Sequence, residues 1–369
     1  MPEAAQTTAR PPVTAPPPRW GRIHLEVRQS VSPARTALTI AAGLLIGLAI
    51  SAIVLMASGV SAVDLLNEFV VIIFTSPKNI SAVLVQAAPL IIVGLAASLA
   101  FKARFWNIGI EGQMIFGAIG ATLVAIFDIG PEALRLPMMA LAAALGGVAW
   151  MALPAFLKLR LSVNEIITTL LLNYIALNFL LHLLYGPWQD PVSAFPHSEQ
   201  FTPAERLAPL GWQNLNASLV VAVALMLLMW LLLSVSRFGY LLNFVHANAG
   251  MARAVGVPVA ALTLAAALGS GALAGLAGFS ISAGIEYRMT QSFFLGYGFS
   301  GILIAFLARN HPVGAAVVAV LVAVLMVGGQ SLQVFYQIPF AMVQLIQAIV
   351  VICVAASDFF VRHRLRWTA

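Results

Sequence analysis

Four polar clusters interrupt this apolar chain, and each offers hydrogen bonds or charge rather than the paired groups of a catalytic centre. The first is Asn107-Ile-Gly-Ile-Glu-Gly-Gln113. An ionisable residue inside a membrane segment faces a cavity or a partner, because lipid does not solvate it. Glu111, with Asn107 and Gln113, therefore reads as a polar wall of a solute path. It reads equally as a carboxylate at a helix amino terminus, satisfied by backbone amides and by Lys102 and Arg104. The second cluster spans Asn164 to Asn178, where Thr169, Asn173 and Asn178 recur at spacings of four and five, close to one helical face. Asparagine donates and accepts without charge, which suits neutral hydroxyl and base groups, and interhelical hydrogen bonding accounts for it equally.

In the third cluster Phe293, Phe294, Tyr297 and Phe299 surround Gly296-Tyr-Gly298-Phe-Ser-Gly301. The glycines fit the dinucleotide fingerprint only literally, since that motif acts between a strand and a helix. Here they break a membrane helix, which is tolerated beside a cavity or inside protein. Aromatic faces there suit a nucleobase or sugar ring, or form an interfacial belt. The fourth cluster, Asn248 to Pro258, reads as a short amphipathic helix with Met251 on one side and Arg253 exposed. It lies on the membrane or docks into a partner's groove. No other chemistry survives inspection. None of the three lysines follows a glycine, so no phosphate-cradling Gly-Lys-Ser/Thr loop exists and ATP hydrolysis would need a separate subunit. The six histidines form no metal-spaced pair, and Cys353 is the single cysteine. No catalytic set, metal site or bound cofactor is expected.

The elements that must position these clusters are membrane helices. Hydrophobic residues make up 61% of the chain and charged ones 9%, against about a quarter charged in soluble domains. Ten apolar segments have spanning length: 37–57, 80–101, 107–127, 136–157, 165–185, 215–235, 258–281, 292–308, 312–331 and 340–357. An eleventh, 63–75, is short and carries Asp64, Asn67 and Glu68, so it reads as interfacial or re-entrant. With ten spans and the amino terminus inside, fifteen Lys and Arg lie inside and four outside; an eleventh span would make that nine against ten. The positive-inside rule favours the first arrangement. The basic balance thus reflects the membrane surface and its lipids, and no nucleic acid is expected. Residues 1–35, rich in Pro and Arg, read as a disordered cytoplasmic tail, 36–357 as the membrane domain and 358–369 as a basic cytoplasmic end. Gly271-Ala-Leu-Ala-Gly275 and Gly117-Ala-Ile-Gly-Ala121 have the small-residue spacing of close helix packing.

Together the clusters resemble the nucleoside and simple-sugar branch of ABC importer permeases, related to ribose and branched-chain amino-acid permeases. The resemblance rests on Ala88-Pro-Leu-Ile-Ile-Val-Gly-Leu-Ala96, Phe101 through Gln113, Asn164-Glu-Ile-Ile-Thr-Thr169, Leu172-Asn-Tyr-Ile-Ala176, Gly298-Phe-Ser-Gly-Ile302 and Arg309-Asn-His-Pro312. It implies an all-α polytopic protein of about ten transmembrane helices, in the type II importer permease fold with an inverted repeat. It implies a second permease subunit, identical or homologous, an ABC ATPase subunit that uses the ATP, and an extracytoplasmic solute-binding protein or lipoprotein. Localisation in a bacterial cytoplasmic membrane, with both termini inside, follows. Asn248, Met251, Arg253 and Gly256 fall where such permeases present a coupling helix to the ATPase. Asn107, Glu111, Gln113, Asn173, Asn178, Phe293, Phe294 and Tyr297 are the expected path residues. The alternative is an ion- or proton-coupled secondary transporter. That would use a titratable group at mid-membrane, for which Glu111 is the candidate, although its place after Lys102 and Arg104 reads as near the cytoplasm.

Overall fold

A computed structural model describes residues 22–28, 32–193, 195–291 and 296–368. Two short strands, β1 (Arg22–Val27) and β2 (His363–Thr368), pair antiparallel beside the ends of a helical bundle. The amino-terminal stretch expected to lack structure through residue 35 therefore contributes a strand and the first turn of a helix. Its Pro-rich portion, residues 1–21, lies outside the described residues.

The helices are α1 (Pro33–Ala57), α2 (Ala62–Leu66), α3 (Ile73–Thr75), α4 (Pro77–Lys102), α5 (Ile110–Ile126), α6 (Glu132–Leu161), α7 (Glu165–Leu184), α8 (Ser218–Ser234), α9 (Arg237–Ala254), α10 (Val259–Ile281), α11 (Tyr297–Leu307), α12 (Pro312–Tyr336) and α13 (Phe340–Arg362). Each of the ten expected apolar segments contains a helix, and of the segment 292–308 the described residues begin at 296. Among the described residues seven helices are long and apolar enough to cross a membrane, and α8 with α9 forms a pair bent by 69°. The apolar helices α5 and α11 have only 17 and 11 residues. At ~1.5 Å per residue they reach ~26 and ~16 Å, less than the ~30 Å of a hydrocarbon core. Residues 103–109 precede α5, and a π-helical turn, Ser282–Glu286, precedes the break before α11. The 63–75 segment becomes α2, a π-helical turn Asn67–Ile72 and α3. It is not a span. It packs on the far end of α12, leaving Val63, Leu66, Val70 and Phe74 exposed along one side.

The buried helix is α4, enclosed almost continuously from Gln86 to Phe101 by α8, α10, α11 and α12. A helix apolar all round belongs in such a place. Beside it, α5, α6 and α10 meet through small residues. A Cβ on Gly271 would stand 2.6 Å from both the Gly147 carbonyl oxygen and Met151 Cβ, and one on Gly117 would stand 2.6 Å from the Gly275 carbonyl oxygen. Lipid gives helices no hydrophobic reason to associate, so van der Waals contact at this range supplies the adhesion.

The two ends of the bundle differ. At one, the 186–214 loop folds over α6 and the end of α10: Arg135 bonds Glu205 at 3.1 Å and also pairs with Asp128, and Arg206 sits 5.0 Å from the Tyr287 ring. In that loop the Val192 amide and the Ser193 hydroxyl hold the Asp190 carboxyl below the usual carboxylate range. At the other end Arg104, Lys158, His246 and Arg309 gather around one cleft. Replacing Gly271 with Leu should destabilise the bundle by about 1–3 kcal/mol or more, read as a fall in Tm of the detergent-solubilised protein. The same change at Gly211, which has open space around it, should cost less through packing, its loss coming only from its φ of +77°. Equal Tm for Gly271→Leu and wild type would contradict the close packing.

Candidate functional site

The first cluster folds into a sealed polar core. Asn107 and Gln113, both buried, face each other as paired amides: Asn107 Nδ2 donates to Gln113 Oε1 and Gln113 Nε2 to Asn107 Oδ1, each at 2.9 Å. Asn107 Nδ2 also reaches Ser270 Oγ on α10 at 3.0 Å. From α7, Asn173 Oδ1 accepts the Gly112 N–H at 2.8 Å, its Nδ2 donates to the Ile108 carbonyl at 2.9 Å, and Thr169 Oγ1 accepts the Ile108 N–H at 3.2 Å. These bonds satisfy the backbone of a non-helical stretch inside the membrane, which must be done internally.

Glu111, 2% exposed, joins this core to α11. Its Oε2 accepts the Gly298 N–H at 2.5 Å and its Oε1 the Gly296 N–H at 3.3 Å. A carboxylate thus caps the amino end of α11, where amides are unpaired and the helix dipole is positive. The position is deep: one length of α11, ~16 Å, separates it from the end that carries Arg309. The expectation that Glu111 lies near the cytoplasm fails, because residues 103–109 carry the chain back into the bundle before α5 begins. The glycines acquire a structural reason. Gly296 has φ +77°, a conformation open to glycine. A Cβ on Gly298 would stand 2.5 Å from the Glu111 nitrogen, and one on Gly301 would stand 2.8 Å from Val93 Cβ. Tyr297 is buried, its hydroxyl accepting from Gln86 Nε2 at 2.6 Å. Phe293 and Phe294 lie outside the described residues.

Asn107, Glu111, Gln113 and Asn173 therefore come together through hydrogen bonds within this chain. Asn178 does not join them. A five-residue step turns ~140° around a helix, and Asn178 faces outward, its Nδ2 donating to the Tyr174 carbonyl at 2.8 Å. It belongs instead to a row that sequence spacing could have revealed: Tyr174, Asn178, His182 and Tyr185, all exposed, at steps of four, four and three. Tyr185 donates to Gln291 at 3.1 Å. The outward faces of α1 and α6 are apolar by contrast. On α1 they carry Leu38, Leu45, Ile46, Ile50 and Ile53, and on α6 Leu141, Leu145, Leu153 and Phe156.

Near the start of α7 opens a cleft of about 1130 Å3. Arg104, Lys158 paired with Glu165, His246, Arg309 and Asn310 supply its polar wall. Phe101, Trp106 and Phe306 supply an aromatic cluster, ring centroids 5.1 to 5.7 Å apart. Sequence inspection passed over these rings because they belong to three separate segments. The residues expected to meet an ATPase lie at the same end. Asn248 breaks α9, with φ −156° and ψ 104°, and its Oδ1 accepts the Met251 N–H at 3.0 Å, starting a new turn. Asn248, Met251, Arg253 and Gly256 are all exposed, and Gly256 has φ +85°. Arg104, itself at φ 56°, donates to the His246 and Ala247 carbonyls at 2.9 and 2.8 Å, tying the break to residues 103–109. Among the described residues no three His, Cys, Asp or Glu side chains gather as metal ligands.

The family described as branched-chain amino acid transport system / permease component matches residues 79–355. The chain is similar to the glucose ABC transporter permease protein TsgB13 of Haloferax volcanii, 38% identical over 331 residues and covering 87% of each. It is 30% identical to the guanosine ABC transporter permease protein NupP of Bacillus subtilis, over 85% of this chain and 91% of that one. The nucleoside ABC transporter permease protein NupB of Lactococcus lactis is 26% identical, over 78% and 82%.

The cap at α11 makes a stability test. Glu111→Ala should lower the Tm of the solubilised protein by an amount equivalent to about 1–3 kcal/mol. Glu111→Gln, which keeps one acceptor oxygen, should lose less. An unchanged Tm in the alanine variant would show that the carboxylate is not holding α11.

Proposed function

We propose, since the chain belongs to the family of branched-chain amino acid transport system permease components, that it lines the pore of an ATP-driven importer for nucleosides or a simple sugar. It is a multi-pass membrane protein, and permeases of this kind work with an ATPase and a solute-binding protein. The observation that carries the reading is the outward row Tyr174, Asn178, His182 and Tyr185 on α7. Amide and imidazole groups aimed into hydrocarbon lose hydrogen bonds to water, at a cost of several kcal/mol. Facing a second permease subunit across a wet path, they lose none. Phenol, amide and imidazole offer neutral donors, acceptors and ring faces. That inventory suits an uncharged solute with a flat or puckered ring and hydroxyls, the chemistry shared by the glucose, guanosine and nucleoside in the relatives' names.

The path runs from this face toward the aromatic cleft beside Trp106, whose volume exceeds what one such solute fills and leaves room for its water. The sealed core of Asn107, Glu111, Gln113 and Asn173 acts behind the path: it fixes α5, α7 and α11 as one body. The exposed turn from Asn248 to Gly256 receives the motion of the ATPase, and Arg104 joins it to that body. The excess of Lys and Arg at the cleft end supports an orientation with that end, and both termini, on the cytoplasmic side of a bacterial inner membrane. The binding protein or lipoprotein then meets the 186–214 loop. In this reading Glu111 serves the scaffold, its carboxylate engaged by the α11 amides.

Uptake of labelled guanosine and glucose at matched expression tests the reading. Tyr174→Ala and Asn178→Ala should each lower the maximal rate by about fivefold to tenfold, roughly one lost hydrogen bond or ring contact, with little change in apparent affinity. Leu145→Ala on the apolar face of α6 should leave the rate unchanged. Rates for all three that match wild type would remove the α7 face from the path.

A further inference from the structure

At the end of the bundle opposite the aromatic cleft, a second and smaller cavity has no part in the solute path. Its volume is about 240 Å3, and it lies between the 62–75 segment, the start of α4 and the last turns of α12. Glu68 lines it. Only 7% of this residue is exposed, and its carboxylate meets one side chain, the Ser331 hydroxyl, which donates to Oε2 at 2.6 Å. Among the described residues no Lys, Arg or His forms an ion pair with it. One turn before it, Asp64 accepts the Ser61 hydroxyl at 2.6 Å. The carboxy-terminal end of α12, negative by its dipole, adds to the same sign. A buried carboxylate with a single neutral partner is expensive, and everything around this one asks for a cation.

The walls decide which kind. Ile72, Ile73, Val327, Val334 and Phe335 line most of the cavity, with Asn79 and Gln330. A metal ion would want five or more oxygens around it, which this wall does not offer. The space also holds several waters' volume, more than a bare ion fills. The mouth is apolar: Val334 and Phe335 line it and are largely exposed, and the 62–75 segment that forms one wall exposes Val63, Leu66, Val70 and Phe74. Lys78, exposed, precedes Asn79 at the rim. One buried negative charge, one positive charge at the rim and an apolar apron at headgroup depth complement a zwitterion with tails.

We infer that this cleft holds an aminophospholipid of the outer leaflet, its primary ammonium on Glu68, its phosphate toward Lys78 and its chains along Val63, Leu66, Val70 and Phe74. The leaflet assignment follows the orientation proposed above; the site itself does not depend on the solute. A primary ammonium donates three hydrogen bonds, whereas the trimethylated headgroup of the same shape donates none, so the site should tell them apart.

Native mass spectrometry of the full-length protein, supplied with phosphatidylethanolamine, phosphatidylcholine or phosphatidylglycerol of identical chains, tests this without any transport readout. Wild type should retain phosphatidylethanolamine about tenfold over phosphatidylcholine, the margin of one charge-assisted hydrogen-bonded contact. Glu68→Gln preserves an acceptor for Ser331 and so the fold, and it should erase that preference. Lys78→Ala should weaken retention of both zwitterions while keeping their ratio. Equal retention of the two zwitterions by wild type, a preference for phosphatidylglycerol, or an undiminished preference in Glu68→Gln would overturn the assignment. So would displacement of the lipid by the cognate solute-binding protein, which would give the cleft to a protein side chain.

Discussion

Hydrocarbon offers no hydrogen bonds, and the architecture of this permease follows from how its polar groups answer that constraint. A helix answers it for its own backbone. Wherever the backbone leaves helical form inside the bundle, side chains must supply what is missing. Residues 103–109 and the start of α11 are two such places, and they answer each other. Glu111 at the start of α5 bonds the amides at the start of α11, while Asn173 and Asn107 fasten the stretch leading into α5. Remove the carboxylate and two amino-terminal helix ends, both positive by their dipoles, face one another without an anion.

The same constraint separates structural polarity from functional polarity. Inside the bundle, a polar residue whose partners all belong to the chain has its explanation. On α7 the explanation runs out at the outward face, where Tyr174, Asn178, His182 and Tyr185 stand against lipid unless another subunit and water cover them. The polar residues that attract notice in the sequence, grouped tightly around Glu111, hold the scaffold. The dispersed ones on α7 form the route proposed above. Arg104 links the two regions to the exposed turn at Asn248 by bonding carbonyls on one side of the break, so a displacement of that turn reaches the loop that leads into Asn107.

Much of the fold was legible in the sequence. Ten apolar segments, the non-spanning character of 63–75, the small-residue contacts of Gly117, Gly271 and Gly275, and the clustering of Asn248 to Gly256 in one exposed turn all appear where residue patterns put them. Four features escape for physical reasons. The depth of Glu111 depends on a non-helical stretch that re-enters the bundle, and nearness to Lys102 and Arg104 in sequence misrepresents it. A step of five looks close to a helical turn, which groups Asn178 with Asn173 in the sequence, yet it points to another face. The aromatic cluster of Phe101, Trp106 and Phe306 unites residues of three segments, so no local pattern announces it. The strand Arg22–Val27 was likewise invisible, since its partner lies more than 300 residues away.

The central claim is that the α7 face is wet and solute-bearing in the assembled transporter. It is tested most directly by the reactivity of a single cysteine at Asn178, in a background without Cys353, toward a water-soluble thiol reagent. The permease–ATPase assembly in proteoliposomes should label at this position, and saturating transported solute should slow the labelling severalfold. A cysteine at Leu145 on α6 should resist the same reagent in both conditions. Failure of position 178 to react with the water-soluble reagent, together with ready reaction toward a lipid-soluble one, would place α7 against lipid and contradict the account.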